Sequence, residues 1–323
     1  MKRTLSIIIA LALLALVPLT LGSCGDEKPI IGIMQFGSHA SLNNCYTGIT
    51  QALESAGITA EGYTIERIDS NFDPAVAQTQ ANTLVNRGAR IILAIATPSA
   101  VAAANAAADS GIPVVFCAVT DASTMENYQN ITGASDVPRF EKQLDVVTAF
   151  MGKETLKIGV LYSTEESSSP YQITQLKAAA AARGTGIEIL DRAVSDISTI
   201  DTQVNALIDA GVDCFINLLD NTIVGKLESN ILPITREARI PVFGSEIEQV
   251  RLGCVASASI DYIAVGQLAG EAAAAILGGK RAGDIPTAVI TDPQIYYNSE
   301  ACASLGLIIP TVLQATDVAA EER

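Results

Sequence analysis

Ala89-Arg-Ile-Ile-Leu-Ala-Ile-Ala-Thr-Pro-Ser-Ala100, with the alanine-rich run that follows it to Gly111, decides how this chain folds. The unbroken apolar run from Ile91 to Ala96 predicts a parallel strand buried on both faces, since a strand with one wet face would alternate apolar and polar residues. Thr97 offers a hydroxyl as helix N-cap, and Pro98 suits a first helical turn, where its missing N–H costs nothing. A strand feeding a helix so directly leaves the N–H groups of Ser99, Ala100 and Val101 and the positive helix end at the carboxyl edge of a sheet, where an anion can bind. Alone, the motif reads equally well as a capped βα turn of any α/β protein.

Working outward, the pattern repeats. Strands are expected at Ile30 to Met34, Tyr63 to Ile68, Pro113 to Val119 and Asn130 to Ala134. Helices are expected at Ser41 to Ala56, Pro74 to Asn86 and Pro98 to Asp109. From Lys157 the plan begins again, with strands at Lys157 to Tyr162, Ile187 to Leu190 and Cys214 to Leu218. The helices of this half are Ser169 to Ala182, Thr199 to Ala210 and Asn221 to Arg239. Ile240-Pro-Val-Phe echoes Ile112-Pro-Val-Val-Phe, and Cys254 to Ser259 echoes Asn130 to Ser135. Strands and helices alternating at this spacing specify an α/β fold with parallel sheets covered on both faces. The duplication gives two Rossmann-like lobes joined by a multi-strand hinge: residues 30–136 plus about 259–285 in one, 137–258 plus about 286–323 in the other. Crossings are expected near residues 135–138, 257–261 and 283–287. Helices Phe140 to Met151 and Tyr262 to Leu277 follow the first two.

Lys2 and Arg3 precede an apolar run, Ile7 to Leu21, that is too short to span a bilayer and ends in Leu21-Gly-Ser-Cys24. Residues 1–23 read as an export signal, 24–29 as a tether, and the tetrapeptide resembles a bacterial lipobox. That resemblance implies diacylglycerol on the Cys24 sulfur and an extracytoplasmic protein held on a bacterial membrane by its lipid. The net charge of −15 repels phosphate backbones and makes nucleic acid an improbable partner. Cys45, Cys117, Cys214, Cys254 and Cys302 are widely spaced without a Cys-x-x-Cys pair. They predict buried thiols, with room for one unassigned disulfide and no zinc site.

The carboxyl-edge loops of both lobes would line the cleft between them. From the first come Gln35 to His39, Thr97 to Ser99, Thr120-Asp121 and Ser135-Asp136; from the second, Ser163 to Ser169, Asp220 to Thr222, Ser245-Glu246 and Asp261. Hydroxyls, amides, helix starts and a few acids suit a zwitterion. Asp220 serves equally as an N-cap, and Glu246 is the rival acid, itself open to a helix-start role. His39, the one histidine, lacks a Gly-x-Ser-x-Gly elbow and is read as a polar cleft-edge residue, not as part of a hydrolase. Phosphate-cradling glycine loops and calcium-loop acid clusters are missing, so no catalytic residue, cofactor or metal is expected. The absence of tryptophan argues against a sugar site.

The segments "IGIMQFGSHASL", "IILAIATPSAVAAANA", "IPVVFCAVTDA", "LDNTI" and "IPVFGSEIEQVRLGCVASASIDYIAVGQLAG", with the lipobox, resemble the substrate-binding lipoproteins of ABC importers in the tryptophan- or tyrosine-uptake family. The resemblance implies a type I periplasmic-binding-protein fold, a permease with a cytoplasmic ATPase as partner, and a ligand of the amino-acid class. Carried onto this chain, it places the Ala-Thr-Pro-Ser loop, with Thr97 and Ser99, and Thr120-Asp121 on one side of the ligand, beside the helix-start amide of Ala100. Ser167, Ser168, Asp220, Asn221 and Glu246 stand on the other, with Gln35 and His39 at the edge. The chain departs from the family at Ala40, where Pro is common, at Asn43, where Asp is common, and at Tyr162-Ser163, where Asn-Ser is common. A ligand-sensing lipoprotein that presents its solute to a sensor kinase is the alternative.

Overall fold

The computed structural model describes residues 28–321 except 154 and 185; the expected signal, Cys24 and most of the tether lie outside the described residues. The chain runs β1 (Ile30–Gln35), α1 (Ala40–Ser55), β2 (Thr64–Asp69), α2 (Pro74–Asn86), β3 (Ile91–Ile95), α3 (Thr97–Ala107), β4 (Val114–Cys117) and β5 (Ile131–Ser135). It continues through α4 (Phe140–Met151), β6 (Leu156–Ser163), α5 (Ser169–Ala182), β7 (Ile187–Val194), α6 (Ile200–Asp209), β8 (Cys214–Ile216) and α7 (Asn221–Val224). Then come α8 (Leu232–Glu237), β9 (Val242–Phe243), α9 (Ile247–Leu252), β10 (Ala256–Ser259), α10 (Tyr262–Leu277), β11 (Ala288–Val289), β12 (Gln294–Tyr297), α11 (Ser299–Leu305), β13 (Thr316–Asp317) and α12 (Val318–Glu321).

The first sheet has the order β2-β1-β3-β4-β5-β11, all parallel. The second, β7-β6-β8-β9, is also parallel, and the bonds Val255 N–H to Val242 O and Gly244 N–H to Ala256 O carry it on to β10. One strand order therefore occurs twice, and the symmetry ends where β12 pairs antiparallel with β10 while β11 pairs parallel with β5. β3, buried at every position, is central, as its unbroken apolar run requires.

Three expectations need correction. The stretch from Asn221 to Arg239 is not one helix: α7 ends at Gly225, and Leu227–Ile231 forms a wide π-type turn before α8. Pro233 has no N–H for the Ser229 carbonyl and its ring crowds that carbonyl, so the helix widens just before it. The third crossing lies between Val289 and Gln294, later than 283–287, because β11 still adds to the first sheet. The five cysteines outside the leader are all free and buried, so none of them forms a disulfide.

Helix α10, entered straight after the second crossing, lies against α1, whose N-terminal end borders the cleft. Small residues let the two backbones touch: a Cβ on Gly48 would run into the Ile263 carbonyl, and one on Gly266 into the Cys45 carbonyl. In an open helix Gly→Ala brings up to about 1 kcal/mol. Here Gly48→Ala is expected to cost about 2 kcal/mol, the overpacking penalty, in urea unfolding of the purified protein.

Candidate functional site

In each sheet the strand order reverses between the second and third strands, β1/β3 in one and β6/β8 in the other, and ligands of open α/β sheets bind outside the carboxyl ends at such a point. The two switch points face each other. Between them is a pocket with about 380 Å³ of space, part of it open to solvent. Leu42, Ala96, Thr97, Ala118, Thr120 and Asp136 line it from the first lobe, and Ser168, Leu219, Asp220, Asn221, Val224, Glu246 and Gln249 from the second. His39, Ser41 and Tyr262 complete it. No lysine or arginine is among them.

The first wall depends on how β3 and β4 end. Ala96 (φ 75°) and Ala118 (φ 56°) both take the left-handed conformation, which costs a non-glycine residue about 1 kcal/mol or more. Their amides stay in the sheet, bonded to Cys117 O and Ala134 O, while the chain swings sharply away. Helix α3 consequently starts one residue earlier than the N-cap reading of Thr97 allows. Ala96 occupies the cap position without a side-chain bond, and Thr97 is already helical. The Ala100 N–H is thereby spent on Ala96 O, which removes it from the expected anion donors. The N–H groups of Thr97 and Ser99 remain at the open helix end, Pro98 having none. Thr97, Ser99 and Thr120 are buried, and the Ser99 hydroxyl has no partner.

Asp136, at the first crossing, is 3% exposed. Its Oδ2 accepts from the Tyr262 hydroxyl at 2.8 Å, whereas Oδ1 is buried without a partner. Thr120 approaches this carboxylate without closing a bond of good geometry, and burial pushes its pKa up. Asp136 belongs to a cleft loop legible in the sequence, yet nothing local sets it above Asp220 or Glu246.

Those two acids take their well-formed hydrogen bonds within their own lobe, with Ser41 of the first lobe also approaching Glu246. Asp220, fully buried, accepts from Ser163 N (2.6 Å), Ser169 Oγ (2.6 Å) and Ile223 N (3.0 Å), so it caps α7 and ties β6, α5 and β8 together. Glu246 accepts from Glu248 N and Gln249 N at the start of α9, and burial pushes its pKa to about 7. Among the other expected residues, Ser168 lines the void, while Ser167 is exposed and Asp121 accepts from Ser123 N and Oγ away from it. Gln35 is fully buried behind the cleft edge, bonded to Gly37 O, Asn43 and Arg67. Asn43 also accepts from Arg67, which covers the Tyr46 ring.

Among the described residues two well-formed side-chain bonds cross the cleft. His39 Nε2 meets Asn221 Oδ1 at 3.0 Å, and Asn44 Nδ2 donates to Glu248 Oε1 at 3.0 Å. His39 and Asn221 thus spend these atoms on each other. Glu166, inside the expected Ser163 to Ser169 loop but not singled out there, accepts from Asn221 Nδ2 at 3.0 Å. Among the described residues no cluster could hold a metal ion, and no helix is long and apolar enough to cross a membrane.

Comparison with known proteins gives concordant findings. A model of the ABC transporter substrate binding protein family matches residues 30–320. A tyrosine-binding protein from Clostridioides difficile is 32% identical over 285 residues, 86% of this chain and 81% of that protein. The crystal structure of an ABC domain in complex with L-Trp from Streptococcus pneumonia is 27% identical, with TM-score 0.82 over 89% of this chain and 98% of that one. The ligand-free, open structure of a substrate binding protein with adhesive properties from Clostridium difficile is 28% identical, with TM-score 0.68 over 90% and 99%. At nearly equal identity the chain superposes better on the L-Trp complex than on the ligand-free, open structure. With relatives that are binding proteins and not enzymes, and a type I periplasmic-binding fold, the chain belongs to the ABC transporter substrate-binding protein family.

Proposed function

We propose that this protein is the extracytoplasmic solute receptor of an ABC importer and captures an aromatic amino acid by closing its lobes. The observation that carries the reading is the unpartnered Asp136 Oδ1, buried at a void that also faces an open helix start. A buried polar atom without a protein partner costs about 1–3 kcal/mol, so Asp136 Oδ1 calls for a hydrogen-bond donor from a ligand. An ammonium supplies what Asp136 lacks. The carboxylate of the same ligand fits the Thr97 and Ser99 N–H groups and the hydroxyls of Thr97, Ser99 and Thr120. Helix dipole and neutral donors balance its charge, which accounts for a site without lysine or arginine. The ligand side chain lies between Leu42, Ala96 and Ala118 on one wall and Leu219 and Val224 on the other. The tyrosine-binding relative and the L-Trp complex support an aromatic ring there.

In this reading Asp220 and Glu246 are structural acids that shape the second wall, and Ala100, Asp121, Ser167 and Gln35 do not touch ligand. The closed form is what a permease with its cytoplasmic ATPase would receive, and lipid on Cys24 would keep the receptor beside that permease.

L-tryptophan or L-tyrosine is expected to raise the melting temperature by several degrees, through binding to the folded state alone. A screen of the twenty amino acids at millimolar concentration without a shift would refute the assignment. Asp136→Asn is expected to weaken binding about 30-fold or more in calorimetry, the scale of a lost charge-assisted bond, with folding retained. Asp220→Ala acts differently, lowering unfolding free energy by about 3 kcal/mol in urea through the lost cap and two further buried bonds. Cys24→Ser should move the protein from the membrane fraction to the soluble one; unchanged sedimentation with membranes would exclude the lipid anchor.

A further inference from the structure

The proposed ligand accounts for Asp136 but not for Glu166. That residue sits on the turn between β6 and α5, 2% exposed, with Oε1 accepting from Asn221 Nδ2 and Oε2 buried without a partner. Asn221 in turn presents Oδ1 to His39 Nε2 in the opposite lobe. With the carboxyl proton on Oε2, Oε1 accepts whether or not Glu166 is ionised, so it fixes the amide: the NH2 of Asn221 faces Glu166, its carbonyl faces His39, and His39 must carry its hydrogen on Nε2. Burial holds His39 neutral, and its ring stacks parallel on Phe72 at 6.1 Å. Phe72 is itself placed by the left-handed pair Asn71 and Phe72.

We propose that Glu166 is the positioning residue of an interlobe latch, setting the Asn221 amide that His39 grips and coupling closure of the cleft to uptake of a proton. This rests on the reading of ligand capture by lobe closure. The charged groups facing Glu166 are Asp220, from the β8–α7 turn, and Asp136, from the end of β5; His39 faces Glu248 on α9. All are acids. Asp220 receives three donors and Glu166 one, so a proton held between them belongs to Glu166. Burial first, and then Asp220, push Glu166 up to about 8.

The sign follows by linkage. The closed form holds the proton more tightly than a wetted, open one, whose carboxyl titrates near ~4.3. Closure is therefore most favourable below that value, weakens as pH rises, and levels off above about 8.

The test uses the full chain. The dissociation constant for L-tryptophan is measured by calorimetry at three pH values between roughly 5.5 and 8.5 for the unaltered protein, Glu166→Gln and Glu166→Ala. Amide exchange of residues 36–44 and 219–226 is followed without ligand, corrected for intrinsic rates. Gln keeps an acceptor for Asn221 and cannot titrate. The ratio of the unaltered protein's dissociation constant to that of Glu166→Gln is expected to rise at least about tenfold across this range. Asp136 and the ligand titrate alike in both proteins and cancel. Glu166→Ala is expected to bind about tenfold more weakly throughout and to lose protection in both segments, while Glu166→Gln keeps it. A flat ratio, or protection in Glu166→Ala equal to that of the unaltered protein, overturns the latch. Should L-tryptophan not bind at all, the ligand assignment fails on its own and the exchange arm still decides. Protection that declines with pH only when Glu166 is present supports the latch, and the same course in Glu166→Gln overturns it.

Discussion

Four carboxyl groups, Asp136, Glu166, Asp220 and Glu246, are buried where the carboxyl edges of two parallel sheets meet, with no lysine or arginine among the residues lining the void between them. A charge taken out of water has to be repaid by donors, and here only backbone N–H groups, hydroxyls and amides can do so. Asp220 and Glu246 are satisfied by helix starts and serines of their own lobe, which makes them fixtures of the wall. Asp136 and Glu166 each keep one oxygen without a partner, one on either side of the cleft. On the proposed reading, that imbalance separates the structural acids from the two assigned to ligand and to closure.

The donors on the first wall come from the abrupt junction of β3 and α3. A strand that passed into its helix through a longer loop would leave the helix end further from the opposite lobe. The left-handed turns at Ala96 and Ala118 shorten both junctions, at an energetic cost offset by the fully buried strands behind them. Packing of α10 on α1 ties the same wall to the hinge, since only two residues separate the end of β10 from the start of α10 and α1 carries Ser41 and Leu42 at its cleft end. Rotation of one lobe on the other thus moves two rigid walls, and the bonds from His39 to Asn221 and from Asn44 to Glu248 report whether they have met.

Much of this was written in the linear order of residues. Apolar runs such as Ile91 to Ile95 and Cys214 to Ile216 dictate buried strands because no polar face interrupts them. Pro74, Pro98 and Gly57 mark helix ends by chemistry that acts within a few residues, and Ile112-Pro-Val-Val-Phe against Ile240-Pro-Val-Phe betrays the repeated plan. The alternation of strand and helix then fixes which loops reach the carboxyl edges, so Thr97, Thr120, Asp220 and Glu246 could be placed at the cleft before any coordinates.

What the sequence alone could not decide is how each buried group shares its hydrogen bonds. Whether Asp220 serves the α7 start or a ligand depends on where Ser163 and Ser169 come to lie. The left-handed Ala96 that withdraws the Ala100 amide from the anion donors leaves no mark in composition, because glycine is the residue that would have announced it. Glu166 reads as one more acid in a serine-rich turn until folding brings Asn221 to it and His39 to Asn221 from the far lobe. Local propensities act over a few neighbouring residues and are legible in order along the chain; the pairing of a donor with an acceptor more than a hundred residues away is settled only when the tertiary structure removes water from both.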